Sequence, residues 1–202
     1  MPERRPIASR SNTLMQRLAR CIARTAVTPN QISVMSVFAS ALVPVGLLAV
    51  GGWKGTLLAV AGIQLRLLAN VLDGLVAIEG GKSSPLGALY NEFPDRTADT
   101  IILVSIGYAA GVPGLGWGAA FLAVLTAYVR VFGGALGQPQ CFDGPMAKQH
   151  RMAVASVALL ITTFSVLVSA ATILKAALIL IILGAAWTCV ARTQHIVHHL
   201  ER

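Results

Sequence analysis

Asn70 to Asp99 reads NVLDGLVAIEGGKSSPLGALYNEFPDRTAD, and this stretch decides the fold. It holds five of the chain's eight acidic residues, Asp73, Glu79, Glu92, Asp95 and Asp99, between two long apolar runs. Carboxylates beside or inside membrane-length segments are costly and by default mark a functional site. Their spacing sharpens the point. On a helix, Asn70, Asp73, Gly74 and Ala77 share one face, at steps of three and four. Gly87, Asn91 and Asp95 repeat that pattern on a following helix, which Ser83-Ser84-Pro85 is expected to start. Asp99 extends the row by one turn. Two such helices would aim oxygen ligands at each other across a gap, and Gly74, Ala77 and Gly87 leave room there for a backbone or a nucleotide. Oxygen donors without His or Cys suit a hard cation such as Mg²⁺ or Mn²⁺.

The surrounding sequence sets the class. Hydrophobic residues make up 55% of the chain and charged residues 12%, and the mean hydropathy is +0.72. Soluble domains are about a quarter charged. Six apolar stretches reach the roughly 17–25 residues a bilayer demands. They run over Ile32–Val50, Thr56–Ile78, Leu86–Ala110, Leu115–Leu136, Met152–Ala170 and Ile173–Ala191. The pattern predicts an all-α integral membrane protein with six transmembrane helices.

Basic residues then set an orientation. Arg4, Arg5, Arg10, Arg17, Arg20 and Arg24 precede the first span, Lys82 follows the second, Lys148 and Arg151 follow the fourth, and Arg192 and Arg202 follow the sixth. The alternate loops hold only Lys54 and Lys175. The positive-inside rule places both termini and the acidic stretch on the cytoplasmic side, in a bacterial inner membrane. Anionic lipid headgroups account for a net charge of +8, so no nucleic-acid partner is called for. The three cysteines, Cys21, Cys141 and Cys189, are isolated and suggest neither a disulfide framework nor a metal site. No signal-peptide cleavage pattern accompanies the first apolar run. Leu14, Leu18 and Ile22 recur every four residues among the N-terminal arginines, which predicts an amphipathic helix lying at the membrane interface. Residues 1–30 thus form a basic amphipathic segment, and residues 31–202 a six-helix membrane domain.

Asp73-Gly74, Ala77, Gly87 and Asp95 resemble the signature of the CDP-alcohol phosphatidyltransferase family, D-x-x-D-G-x-x-A-R followed by G-x-x-x-D-x-x-x-D. Asn70 stands where the first Asp belongs, Ile78 where the Arg belongs, and Asn91 where the third Asp belongs. Thr28-Pro29-Asn30-Gln31-Ile32-Ser33 is similar to the TPN-x-[LI]-[ST] lead-in to this family's first span. The resemblance implies a CDP-linked lipid such as CDP-diacylglycerol bound on Mg²⁺ or Mn²⁺ at the cytoplasmic face. A small alcohol then attacks the phosphorus remote from cytidine, and CMP leaves. It implies Asp73 and Asp95 as metal ligands, with Asn70 and Asn91 keeping a ligand oxygen without its charge. Asn70, Asp73, Gly74, Ala77 and Gly87 would form the nucleotide surface, and Asp95 would be the base for the acceptor hydroxyl. A homodimer is compatible with it. Arg66, one turn before Asn70, is the candidate replacement for the missing Arg, and Glu92 or Asp99 for the missing acid.

A second polar cluster, Asp143-Gly144-Pro145-Met146-Ala147-Lys148-Gln149-His150-Arg151, puts a Gly-Pro turn and basic residues at a helix start, an arrangement suited to phosphate. Arg130 lies late in an apolar span and needs either a partner or a path to the interface. Arg130, Lys148 and Arg151 are therefore the candidate phosphate and acceptor contacts, favouring a phosphorylated alcohol, while topology alone would also explain the two in the loop. A second class stays open: a catalytically inactive relative that binds CDP-lipid or nucleotide, or a non-enzymatic membrane bundle. The acids cluster at one end and do not line the full membrane depth, which argues against an ion path.

Overall fold

Thr28 opens the first long helical column. In the computed structural model its hydroxyl accepts from the Gln31 amide at 3.3 Å, and the Thr28 amide donates to Gln31 Oε1 at 2.9 Å. This reciprocal cap satisfies amides that a helix start otherwise leaves without partners. Pro29, with no N–H to lose, fills the first turn. Helix α2 (Pro29–Ser40) continues through a short α3 (Leu42–Pro44) into a π-helical turn at Val45–Val50. Pro44 accounts for the change of pitch, because it has no N–H and its ring crowds the carbonyl four residues back. Gly51, at φ 68°, ends the column and lets the chain reverse.

The other helices are α1 (Thr13–Ala23), α4 (Gly52–Glu79), α5 (Gly87–Ala109), α6 (Pro113–Ala135), α7 (Lys148–Phe164) and α8 (Ala170–Leu200). The structure describes residues 13–201 except Ser83 and Val166. Arg4, Arg5, Arg10, Arg202 and Ser83 of the sequence argument lie outside the described residues. Within them, all the regular structure is helical. Helix α5 starts at Gly87, after Ser84 Oγ has accepted from the Leu86 amide at 3.1 Å, so Ser84 shapes the turn before the helix instead of capping it.

Among the described residues, four columns are long and apolar enough to cross a membrane: Pro29–Val50, Gly52–Glu79, Pro113–Ala135 and Ala170–Leu200. Helices α5 and α7 are not among them. Glu92, Asp95, Arg96 and Asp99 lie within α5, and α7 has 17 residues and begins with Lys148, His150 and Arg151.

Neighbouring contacts close the columns into a ring in the order α4, α2, α5, α6, α8, α7 and back to α4. Helices α4 and α5 are thus not side-by-side neighbours; they flank α2 and meet through side chains that reach into the interior. A core of Ile63, Ile102, Ile106, Leu159, Leu178 and Ile181 fills that interior. Glycines draw the helices together away from the acidic stretch. A Cβ on Gly107 would come within 2.6 Å of Gly116 Cα, and one on Gly46 within 2.3 Å of the Gly55 oxygen. At Gly87, by contrast, a Cβ would meet open space. Gly87 is therefore not a point of close backbone approach, and the ring is open where α5 begins.

Helix α1 docks on α4 and leaves Leu14 and Leu18, the start of its leucine row, exposed. Ala19 is sealed against Leu72, Leu75 and Val76, with Met15, Ile22 and Ala23 around it. Leu14 and Leu18 are 64% and 39% exposed. The helix carries two apolar stripes, and Ala19 at the centre of one lets α1 approach α4 closely. Arg20 reaches Glu79 at 3.7 Å, and Lys82 donates to the Thr25 and Val27 carbonyls at 2.6 and 3.1 Å, tying α1 to the end of α4.

Candidate active site

The acids of α4 and α5 meet at the end of the ring where α2, α5 and α7 begin. Asp73 is 6% exposed and Asp95 4%, although each belongs to a different wall. Ser33, in the first turns of α2, donates to Asp73 Oδ2 at 2.6 Å. Asp73 also lies within electrostatic reach of Asp95 and Lys148. Ser33 is the last residue of the TPNQIS lead-in, so that motif serves both to cap α2 and to hold a site carboxylate. Its role as a partner of Asp73 was not read from the sequence, yet the Ser/Thr position of the lead-in was the available signal.

Asp95 is held from three sides. Arg66 on α4 donates to its Oδ1 at 3.3 Å, Lys148 at the start of α7 pairs with its Oδ2, and Arg96 lies 3.6 Å from the same oxygen. Asp99, one turn further, receives Arg66 at 2.5 Å and Arg151 at 3.0 Å. Arg151 also donates to Thr126 Oγ1 at 3.2 Å and to the Met146 carbonyl at 2.9 Å. Glu92 receives Arg130 through both oxygens, at 2.7 and 2.6 Å, and Arg96 at 2.9 Å. Arg130 further binds Gln140 and lies over the Phe142 ring at 5.2 Å.

The three cations expected at a phosphate or acceptor, Arg130, Lys148 and Arg151, are thus each engaged by one acid of α5: Glu92, Asp95 and Asp99 respectively. Those acids recur at steps of three and four, so one face of α5 pairs in turn with α6 and α7. Buried charges require such pairing, because desolvation of an isolated ion costs more than any single contact returns. Arg66 is fully buried against Asp95 and Asp99 and does not take up a free position beside a phosphate. Glu92 and Asp99 are committed in the same way. Asp95 and Asp99 are met together by Arg66, Arg96, Lys148 and Arg151, whereas Asp73 takes its hydrogen bond from Ser33, so the interior cluster holds at least as many cations as acids.

The remaining motif residues divide between wall and rim. Asn70 is 9% exposed, and its Nδ2 has no hydrogen-bond partner. Ala77 is buried, Gly74 and Gly87 are half-buried, and Asn91 is exposed at the rim. Arg192 on α8, read only as a topology marker in the sequence, donates to the Thr126, Phe142 and Asp143 carbonyls at 2.6, 3.1 and 2.9 Å. It fixes the loop that delivers Lys148.

Among the described residues no group of three or more His, Cys, Asp or Glu side chains is placed to hold a metal ion. The donors that are present are Asp73, Asp95 and the amide of Asn70, whose oxygen and nitrogen exchange places by a flip. A hard cation bound through one or two carboxylates plus substrate phosphates fits this oxygen set. An all-protein metal cage does not.

No family model matches the chain. The fold is shared with a crystal structure of Mycobacterium tuberculosis phosphatidylinositol phosphate synthase with CDP-DAG bound. The TM-score is 0.76 at 18% identity, over 92% of this chain and 94% of that one. The same enzyme in complex with manganese and citrate gives a TM-score of 0.74 at 18% identity, over 90% and 88% of the two chains. A curated relative, the bifunctional IPC transferase and DIPP synthase of Rubrobacter xylanophilus, is 35% identical over 125 residues. That match spans 59% of this chain and 28% of the relative's own length. Both relatives are CDP-alcohol phosphatidyltransferases, and the family resemblance carried by the acidic motif is borne out. The chain has the fold of that family, and one of the solved structures sharing the fold carries a CDP-linked lipid.

Proposed function

We propose that this protein transfers a substituted phosphate group from a CDP-linked lipid, CDP-diacylglycerol or a close analogue, to a small alcohol and releases CMP. The observation that carries this reading is the burial of the two motif carboxylates, Asp73 and Asp95, on facing helices at one end of the ring. In the proposed reaction the acceptor oxygen bonds to the phosphorus remote from cytidine, and the bond from that phosphorus to CMP breaks. Asp95 takes the hydroxyl proton. The open gap beside Gly87, together with Gly74 and Ala77, gives the nucleotide its place. Asp73 and Asp95, with the Asn70 amide, would hold one Mg²⁺ or Mn²⁺ and Asn91 would line its outer edge. The cation supplies charge neutralisation to the diphosphate. Arg130, Lys148 and Arg151 stand along one face of α5, and of these the partly exposed Arg130 and Lys148 are the cations that favour a phosphorylated alcohol.

The six columns of the ring support six membrane spans, and α7, like the longer columns, presents an exposed apolar row in Val157, Ile161 and Phe164. Charge placement supports a cytoplasmic site in a bacterial inner membrane, with residues 1–30 at the interface and residues 31–202 as the membrane domain. The exposed Leu14 and Leu18 stripe on α1 suits that interface.

A second reading, a relative that binds CDP-lipid without turning it over, draws support from one observation: Asp95 is held by Lys148, Arg66 and Arg96 at once. Purified protein in nanodiscs with CDP-diacylglycerol, Mg²⁺ or Mn²⁺ and a panel of labelled alcohols separates the two. CMP release with one acceptor supports transfer. CDP-lipid binding with no CMP release across the panel supports the binding-only relative.

A further inference from the structure

We infer that this site takes a divalent cation only together with a diphosphate ligand, because Lys148 serves as the resident counter-ion of Asp95 until an anion draws it away. The inference rests on the proposed CDP-lipid reading and adds the order and coupling of binding.

Three features of the chain support it. The first is the Lys148–Asp95 pair: the ammonium group occupies Asp95 Oδ2, one of the two carboxylates available to a cation, and Arg66 occupies the other oxygen of the same group. The second is charge. Asp73, Asp95 and Asp99 stand against Arg66, Arg96, Lys148 and Arg151, so a dication arriving alone would add two positive charges to a largely buried cluster that has no acid to spare. A diphosphate brings the matching negative charge with it. The third is the ligand count. Asn70 and Asn91 replace charged ligands by neutral amides, so the two carboxylates that remain hold a cation only when Lys148 no longer competes for one of them. Lys148 is suited to the exchange. Its side chain is 20% exposed, against 0% for Arg66 and 2% for Arg151, and its flexible stem ends in a point charge that can swing from a carboxylate to a phosphate. Arg66 and Arg151 stay in place as the fixed part of the cluster.

The test is equilibrium dialysis of radioactive Mn²⁺ against the protein in phosphatidylcholine nanodiscs, with and without CDP-diacylglycerol in the disc, after subtraction of matched empty discs. Native protein is expected to bind Mn²⁺ more tightly by about 5–150-fold when CDP-diacylglycerol is present. Lys148→Met is expected to bind Mn²⁺ without the nucleotide lipid, so that the coupling shrinks, whereas Lys148→Arg keeps native behaviour in direction. If Lys148→Met fails to fold, the two native arms still decide. Tight Mn²⁺ binding by native protein without CDP-diacylglycerol, unchanged in Lys148→Met, overturns the inference and leaves the transfer reading standing. CDP-diacylglycerol binding with no Mn²⁺ uptake overturns it as well, in favour of a metal-free site. Failure to bind CDP-diacylglycerol at all overturns the functional reading itself; Mn²⁺ uptake by Lys148→Met and not by native protein would still show Lys148 as the competitor.

Discussion

Arg66 on α4 and Asp99 on α5 form an ion pair of 2.5 Å that is sealed from solvent on both sides. The pair spans the interior of the ring, between two helices that are not side-by-side neighbours. It therefore fixes the width of the gap above it, where Asp73 and Asp95 face one another. Arg151 grips the second oxygen of Asp99 from α7, so three walls of the ring converge on a single carboxylate. The same arrangement explains how an arginine survives at full burial midway along an apolar helix.

Removing the Asp99 charge should be strongly destabilising. Asp99→Asn leaves Arg66 and Arg151 without their shared counter-ion, and loss of one partner of a buried pair costs about 3–5 kcal/mol. Thermal unfolding in detergent should show a clear fall in Tm. The double variant Arg66→Met with Asp99→Leu should lose less than the sum of the two single changes, because the groups interact directly. Additive losses would mean that the pair is not coupled in the folded protein.

Ser33→Ala should spare the fold and weaken the site. The lost hydrogen bond is to a carboxylate, a class worth about 1.5–3 kcal/mol, and Asp73 would be left less firmly oriented. Cation-dependent binding of CDP-diacylglycerol is expected to fall about tenfold, with Ser33→Thr restoring it. Equal binding by the native protein and Ser33→Ala would show that Asp73 needs no orienting partner.

Membrane topology has its own check. Single cysteines introduced near Lys82 and near Gln149 should react with an impermeant reagent only from the cytoplasmic side. One near Gly114 should react only from the opposite side. Cytoplasmic labelling at Gly114 would remove the six-span arrangement.

The sequence foretold the long columns well, because apolar length and turn chemistry are local properties. The expected Leu86–Ala110 span and α5 (Gly87–Ala109) differ by a residue at either end. The Thr28 cap was legible for the same reason. What stayed hidden depends on which wall faces which. Arg66, read as a stand-in beside the phosphates, points across the interior to Asp95 and Asp99. Leu14 and Leu18, the row expected at the membrane interface, are exposed, whereas the contact of Ala19 with Leu72, Leu75 and Val76 on α4 has no signal in the spacing. Helix α8 runs on to Leu200, beyond the expected span end at Ala191, and there Arg192 donates to backbone carbonyls on α6 and in the loop before α7, contacts that no spacing in the sequence announces. A periodic pattern identifies faces; only packing assigns them partners.

Restoring acids should act unequally at the two substituted positions. Asn70 is buried beside Asp73 on α4, whereas Asn91 lies exposed at the rim. Asn70→Asp should tighten Mn²⁺ binding in the presence of CDP-diacylglycerol by about tenfold, since ligand charge count tunes cation affinity. Asn91→Asp should have a smaller effect, because solvent screens a charge placed there. Equal gains would mean that the cation sits nearer the rim than the Asp73–Asp95 gap.

Asp95→Asn tests the chemistry. Asp95 is the proposed acceptor of the alcohol's proton, and general-base assistance contributes about 10²–10⁴-fold. CMP release should therefore fall at least about a hundredfold. The substitution keeps the side chain's size and leaves Arg66 its stronger contact with Asp99, so the folded state should persist, as a Tm measurement would confirm. It also releases Lys148 from its carboxylate partner. CDP-diacylglycerol binding should fall far less than turnover, because the freed ammonium group meets the diphosphate and offsets part of the lost cation ligand. Turnover that drops well beyond binding is the signature of a missing base. An equal fall in both would confine Asp95 to holding the cation, and undiminished turnover would remove it from the reaction.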